Sequence, residues 1–299
     1  MLYDRLRLIA DVPRFENPVL IYGFTGFLEA GAAVRIATDH LLESVEHVDV
    51  AEFDIDSIYD YRARRPRLTF ASDHYTDLEM PSLRISACRD ERGAGFFILH
   101  GVEPDFAWKS ITKDIATFIR EVGISLSVSM LAVPFPAPHT RPVAITVHGN
   151  EPELVSGRKS WVGDMQVPAS LAGLVEYQLG VEGLPAMGFA AHVPHYLASV
   201  GHPGSALALI REVSLATGLM LPTDSLREAA RESDDELAEQ LQNNPENLEG
   251  VHQLEAQYDA LLAERGEGAG DATAALDENI AAQVEQFLAQ METRGKSDE

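Results

Sequence analysis

Six polar side chains in this 299-residue chain stand directly after apolar, strand-forming runs: Glu103, Asp105, His139, Arg141, His192 and His195. Carboxylates, imidazoles and a guanidinium brought together suffice for general acid–base work or for holding an anion. The stretch from Val19 to Gly31, VLIYGFTGFLEAG, adds a second kind of feature. It reads as a strand, a turn at Gly23 and Gly26, and a helix from near Ala30 to about Ser44. Such a turn can present backbone N–H groups to a ligand, and the helix start behind it favours anions. The same glycines equally serve geometry alone. Candidate catalytic residues are Glu103, His139 and His195. Candidate ligand-binding residues are Gly23, Gly26, Glu103, Asp105, His139, Arg141, His192 and His195. Each has a plainer alternative: Glu103 suits a helix cap, and histidines at strand ends serve packing or interfaces.

Spacing excludes several chemistries. Gly23, Gly26 and Gly31 miss the G-x-G-x-x-G dinucleotide fingerprint, and no G-x-x-x-x-G-K-[ST] loop occurs. No G-x-S-x-G elbow occurs, and Ser205 in HPGSA lacks the flanking glycine pair. His192 and His195, three residues apart, are a weak metal signal beside the missing H-E-x-x-H. No metal or cofactor is expected.

The positioning elements follow from periodicity. Val48–Phe53, Leu83–Ala87, Gly95–His100, Ile124–Val133, Val143–Val147 and Met187–Val193 read as strands, with Asp90–Gly93 as a hairpin connection. Pro104 suits the first turn of a helix whose apolar stripe is Trp108, Ile111, Ile115, Phe118, Ile119 and Val122. Pro168 and Pro203 open two more helices. Between the second and third strands, residues 54–67 have no period and read as an exposed loop. Its Arg62, Arg64, Arg65 and Arg67 are the densest basic spot, suited to pairing with Asp54, Asp56 and Asp60, to an anion, or to a subunit contact. Pro134–Pro142 holds four prolines in nine residues, a stiff loop. Strands alternating with helices predict a three-layer α/β/α domain with a mostly parallel central sheet. If those strands are parallel, the segments Gly23–Glu29, His100–Asp105, Pro138–Arg141 and His192–Tyr196 leave the sheet at one edge, where α/β sheets bind ligands.

At Pro222 the character changes. The expected division is a sheet domain over 1–221 and an acidic helical region over 222–299. The stretch 221–299 carries 20 acidic and 5 basic residues, hence −15 of the formal net charge of −24. Leu226–Leu241 is a charged helix, and Asn244-Pro245-Glu246 starts another with Leu248, Val251, Leu254, Tyr258, Leu261 and Leu262 in its stripe. Gly266, Gly268 and Gly270 break that stripe, and Leu276 to Met291 form the next. So acidic a surface disfavours nucleic acid and anionic membranes as partners. The lone Cys88 permits no internal disulfide and reads as a small buried hydrophobe. Charges interrupt every apolar run of the first fifteen residues, and no run of about 18 apolar residues exists. A soluble, cytoplasmic protein is expected.

The segments PVLIYGFTGFLEAG, RRPRLTF, HGVEPDFAW, VPFPAPHTRP, the tract Trp161-Val162-Gly163 through Gln166-Val167-Pro168-Ala169-Ser170, and HVPHYLA are together similar to the proteasome assembly chaperone 2 family, in its bacterial branch. The resemblance covers roughly residues 15–220. It implies a fold like that of nucleoside phosphorylases and related hydrolases, and a homo-oligomer, specifically a trimer. It supplies no active-site residues, because members of the family have been described both as assembly chaperones and as carboxylate–amine ligases. Two readings remain open at the level of sequence. One is a non-enzymatic assembly or scaffold protein with a protein partner. The other is an enzyme acting on a small anionic or nucleoside-like ligand at the carboxyl edge of the sheet.

Overall fold

The computed structural model describes residues 3–158 and 163–267, with side chains described to residue 263. The stripe from Leu276 to Met291 lies outside these residues. The chain order is β1 (Leu6–Leu8), β2 (Val19–Thr25), α1 (Ala33–Ser44), β3 (Glu46–Phe53), β4 (Arg67–Ala71), β5 (His74–Glu79), β6 (Leu83–Arg89) and β7 (Gly95–Val102). It continues with α2 (Trp108–Val122), β8 (Leu126–Phe135), β9 (Ile145–Gly149), α3 (Leu171–Val181), β10 (Ala186–Pro194), α4 (Pro203–Thr217), α5 (Asp224–Gln242) and α6 (Pro245–Glu267). Eight strands form one sheet in the order β1-β3-β6-β7-β2-β8-β10-β9, while β4 and β5 form a separate two-stranded sheet.

The sheet is mixed. The pairs β7·β2, β2·β8 and β8·β10 are parallel. The flanking pairs β1·β3, β3·β6, β6·β7 and β9·β10 are antiparallel. Parallel pairing is thus confined to the four central strands, because the tight Asp90–Ala94 turn leaves no room for a crossover between β6 and β7. Strand β2 is buried on both faces and sends alternate side chains into two cores. Val19 and Ile21 join Val34, Ala37 and Leu41 of α1 and Ala206, Leu209 and Ile210 of α4. Leu20, Tyr22 and Phe24 join Ile111, Ile115 and Phe118 of α2 and Leu171 and Val175 of α3. That makes three layers, with α1 and α4 on one face and α2 and α3 on the other.

Several local expectations need correction. Pro104 lies before the helix, not in its first turn: α2 starts only at Trp108, after Ala107 reverses the chain at φ +62°. Pro168 likewise precedes α3, which starts at Leu171 with Ser170 Oγ accepting the Gly173 N–H at 3.1 Å. The 54–67 loop has an anchor, fully buried Ile58, whose carbonyl accepts the N–H groups of Asp105 and Phe106. Helix α6 runs through Gly266 to Glu267. The arm β4–β5 was not foreseen, since its residues are mostly exposed and carry no burial period. Helix α5 is docked, with Leu226 and Ala230 buried in the α1–α4 core.

Gly23 shows what the opening turn is for. A Cβ there would come within 2.5 Å of Val34 Cγ1 and 3.3 Å of the Met130 carbonyl, so glycine lets α1 lie directly on β2. Gly23→Ala should cost about 1–3 kcal/mol by overpacking, and adding Val34→Ala should restore part of it, giving a coupling detectable by urea denaturation of the two single variants and the double. Simple additivity would show that the contact does not govern the glycine.

Candidate functional site

Strands β7, β2, β8 and β10 point the same way, so the segments following them share one edge of the sheet. Hydrogen bonds and ion pairs divide that edge into an acidic group beside β2 and β7 and an imidazole group beside β8 and β10.

In the acidic group the Gly26 N–H, which could have faced a ligand, donates to Glu29 Oε2 at 3.1 Å. Gly26 sits at φ +149°, and a Cβ on it would meet Glu103 at 3.3 Å. Glu103 Oε1 accepts the Leu171 N–H at 2.7 Å. It therefore caps a helix, as its sequence allowed, but the helix is α3, and not α2 which follows it. Arg64 Nη2 donates to the Glu103 carbonyl and to Asp105 Oδ2, both at 2.7 Å. Asp105 also accepts the Asp60 N–H at 2.7 Å. Burial raises the carboxyls of Glu29 and Glu103 above the usual range, opposed at Glu103 by the Leu171 and Phe27 N–H groups and by Arg64.

In the imidazole group the Tyr196 hydroxyl oxygen accepts the His139 N–H at 2.9 Å and lies 2.7 Å from His139 Nδ1. His202, which ends the loop before α4, has Nδ1 2.7 Å from Ser205 Oγ, and both residues are buried. His192 is buried in β10, with Nε2 2.7 Å from Thr146 Oγ1 and its ring stacked on Phe135. His195 is exposed and packs edge-on against Tyr196. Arg141 reaches away from the edge to α6, where Nε and Nη2 bind both oxygens of Asp259 at 2.8 and 2.7 Å and Nη1 meets Glu255 at 3.1 Å. A cavity of about 610 Å³ opens beside this group, lined by His195, Tyr196, Leu197 and Val200 and by Leu237, Leu241, Val251 and Leu254 of α5 and α6.

Two clusters escaped sequence reasoning. Across the sheet, Tyr22, Ser129, Gly188 and His148 stand in register beneath α3. His148 Nδ1 lies 3.0 Å from Glu176 Oε1 of α3, while the side chains of Tyr22 and Ser129 are buried side by side in register. A side chain at Gly188 would overlap Ser129 Oγ and the His148 ring. On the other face Ser86 Oγ donates to Asp49 Oδ1 at 2.6 Å and lies 2.9 Å from His100 Nε2. Only the polar residues interrupting apolar strand runs, Ser127 and Ser129 in particular, hinted at these clusters. Among the described residues no group of three or more His, Cys, Asp or Glu side chains could hold a metal ion.

Burial pushes His100 and His202 down from 6.5 to about 4. Between pH 6.5 and about 4 the unfolded chain binds protons at these imidazoles and the folded chain does not, so they remove stability as pH falls through that window. Glu29 and Glu103, raised above 4.5, act in the opposite sense as pH rises through their own range. Comparing His202→Asn with the parent isolates one term. The variant's loss of stability per pH unit below 6.5 should be smaller by up to about 1.4 kcal/mol, read from urea midpoints at pH 7 and pH 5. Equal slopes would show that His202 does not stay neutral in the fold.

The profile of the PAC2 family matches residues 23–241. A Mycobacterium tuberculosis protein of unknown function is 36% identical, with 96% of each chain covered and a TM-score of 0.88. A Corynebacterium glutamicum protein of unknown function is 30% identical over 86% of this chain and 98% of its own, with a TM-score of 0.82. A proteasome-assembly chaperone homologue from Mycobacterium tuberculosis is 27% identical over 74% of this chain and 94% of its own, with a TM-score of 0.69. No curated protein matches the chain in sequence.

Proposed function

Because the chain belongs to the PAC2 family, we propose that it is a non-enzymatic, homo-oligomeric, chaperone-like assembly protein whose partners are other protein chains. The observation that carries this reading is the β4–β5 arm, where Leu68, Phe70, Tyr75, Leu78 and nearby Met80 are each 47–69% exposed. Exposed apolar groups gathered on one short element mark a protein contact more often than a substrate site. The polar edge supports the same reading from the other side. Glu103, Asp105, Arg141, His139 and His202 each already engage a partner within the chain. The relative described as a proteasome-assembly chaperone homologue points to protein chains as the partner class. Residues 222–299 enter the proposal as an acidic helical addition to a 1–221 sheet domain, held in place by Leu226, Ala230 and the Arg141 clamp. Among the described residues no helix is long and apolar enough to cross a membrane. A cytoplasmic location is part of the proposal and rests on the family's chaperone-like relative.

A second reading, an enzyme for a small anionic or nucleoside-like ligand, draws on the cavity beside His195 and Tyr196. Two measurements separate the readings. Light scattering after size exclusion should give about three chain masses, and a clean monomer at micromolar concentration would refute the homo-oligomer. Nucleosides, phosphate, ATP and amino acids should leave the melting temperature unchanged. A specific ligand at 100 times its dissociation constant would instead add about 2.7 kcal/mol and favour the enzyme.

A further inference from the structure

The main sheet ends in β1 on one side and in β9 on the other. The β1 edge is blunt, three residues long with Arg7 at its centre. Strand β9 reads Ile-Thr-Val-His-Gly and holds no Lys, Arg, Asp, Glu or Pro. Its ladder with β10 runs without a register shift, so it has no bulge either. Natural edge strands use charges, prolines and bulges to refuse a further strand, and β9 has none of them. All its residues are partly exposed, while every residue of β10 beside them is buried.

The ladder fixes which backbone groups are free. The His192 N–H donates to the Ala144 carbonyl at 2.9 Å, and the Asn150 N–H to the Ala186 carbonyl at 3.0 Å. Bonded positions alternate along an antiparallel pair, so Ala144, Thr146, His148 and Asn150 turn their backbone groups to β10. Ile145, Val147 and Gly149 turn theirs the other way, where β9 pairs with no strand among the described residues.

The two faces of this edge differ in chemistry. Ile145 and Val147 pack against the α1–α4 core. On the opposite face Thr146 Oγ1 lies 2.7 Å from His192 Nε2, and His148 Nδ1 lies 3.0 Å from Glu176 Oε1. Directly opposed residues of an antiparallel pair share a face. A strand laid antiparallel on β9 therefore carries its bonding residues beside Ile145 and Val147, where apolar β-branched side chains fit, and its alternate residues beside Thr146 and His148. Pro142 and Pro152 bracket the edge and limit the length of that strand. Glu151 and Glu153 follow β9 on a chain of net charge −24, which favours basic residues at the strand's ends.

We propose that β9 is the docking edge for an extended segment of a partner protein, which joins the sheet as an antiparallel strand with apolar residues at every second position and basic ends. The proposal rests on the reading of a protein partner above, and not on the number of copies in the assembly.

The test uses full-length protein and a lysine-ended synthetic peptide of alternating valine and threonine, with binding followed by fluorescence anisotropy of the labelled peptide. Backbone hydrogen exchange of residues 143–150, read by mass spectrometry, should slow about tenfold when the peptide is at about ten times its dissociation constant. A peptide N-methylated on its valines should not bind, and one N-methylated on its threonines should, because only the valine N–H groups face β9. Val147→Pro removes an outward N–H and no ladder bond, so it should weaken binding about tenfold with an unchanged circular dichroism melt. No binding of the unmethylated peptide up to about 1 mM overturns the edge contact and leaves the homo-oligomeric reading, which light scattering decides, untouched. Equal effects of the two methylations show attachment by side chains elsewhere and overturn it as well. If residues 143–150 exchange slowly without peptide and quickly on dilution, a second copy fills the edge and the partner strand is wrong. Should Val147→Pro lose its melt, the pair of methylated peptides still decides.

Discussion

The structure depends on one strand that is buried on both faces. Strand β2 sends Val19 and Ile21 to one core and Leu20, Tyr22 and Phe24 to the other. A strand so placed has no solvent for its backbone groups, so each must pair with a neighbour. β7 and β8 supply those pairs in parallel register, and parallel neighbours require crossovers over the faces of the sheet. α2 makes the crossover from β7 to β8, α3 lies on the path from β8 to β10, and α1 carries the chain from β2 to β3, while α4 follows the last strand and covers the sheet without joining two strands. The same polarity sends four strand ends to one edge, and Gly23 lets α1 come down onto β2 beside it.

An edge that gathers carboxylates, imidazoles and guanidiniums must satisfy them, because buried polar groups without partners are costly. Here the partners come mostly from the chain itself. Glu103 caps α3, Arg64 ties the 54–67 loop to Asp105, and Arg141 holds α6 through Asp259 and Glu255. The polar residues thereby act as fasteners between elements far apart in sequence. Apolar side chains stay exposed on the arm, as they do at Tyr177, Val181 and Leu215 on the helices.

Much of the fold was legible because burial leaves a period. The runs Ile124–Val133 and Met187–Val193 read as buried strands, the Asp90 turn as a hairpin, and Asn244-Pro245-Glu246 as a helix start, and each forms. The arm was illegible because exposed strands leave no such period. Pro104 misled because a proline is compatible with a helix's first turn without requiring one, and Ala107 delays the helix by four residues. The site was legible only as a list of segments. The pairing of Glu103 with Leu171, of Arg141 with Asp259, and of Tyr22 with Ser129 across the sheet depends on long-range register, which spacing in a single chain does not encode.

The central claim is that the arm is a contact between copies and not a free ornament of the monomer. Backbone amide hydrogen exchange of Arg67–Glu79, followed as the protein is diluted, tests it most directly. The account predicts slow exchange in the arm when the protein is concentrated and fast exchange on dilution, with β2 and β8 equally protected throughout. Arm amides that exchange at the same fast rate at every concentration would contradict it.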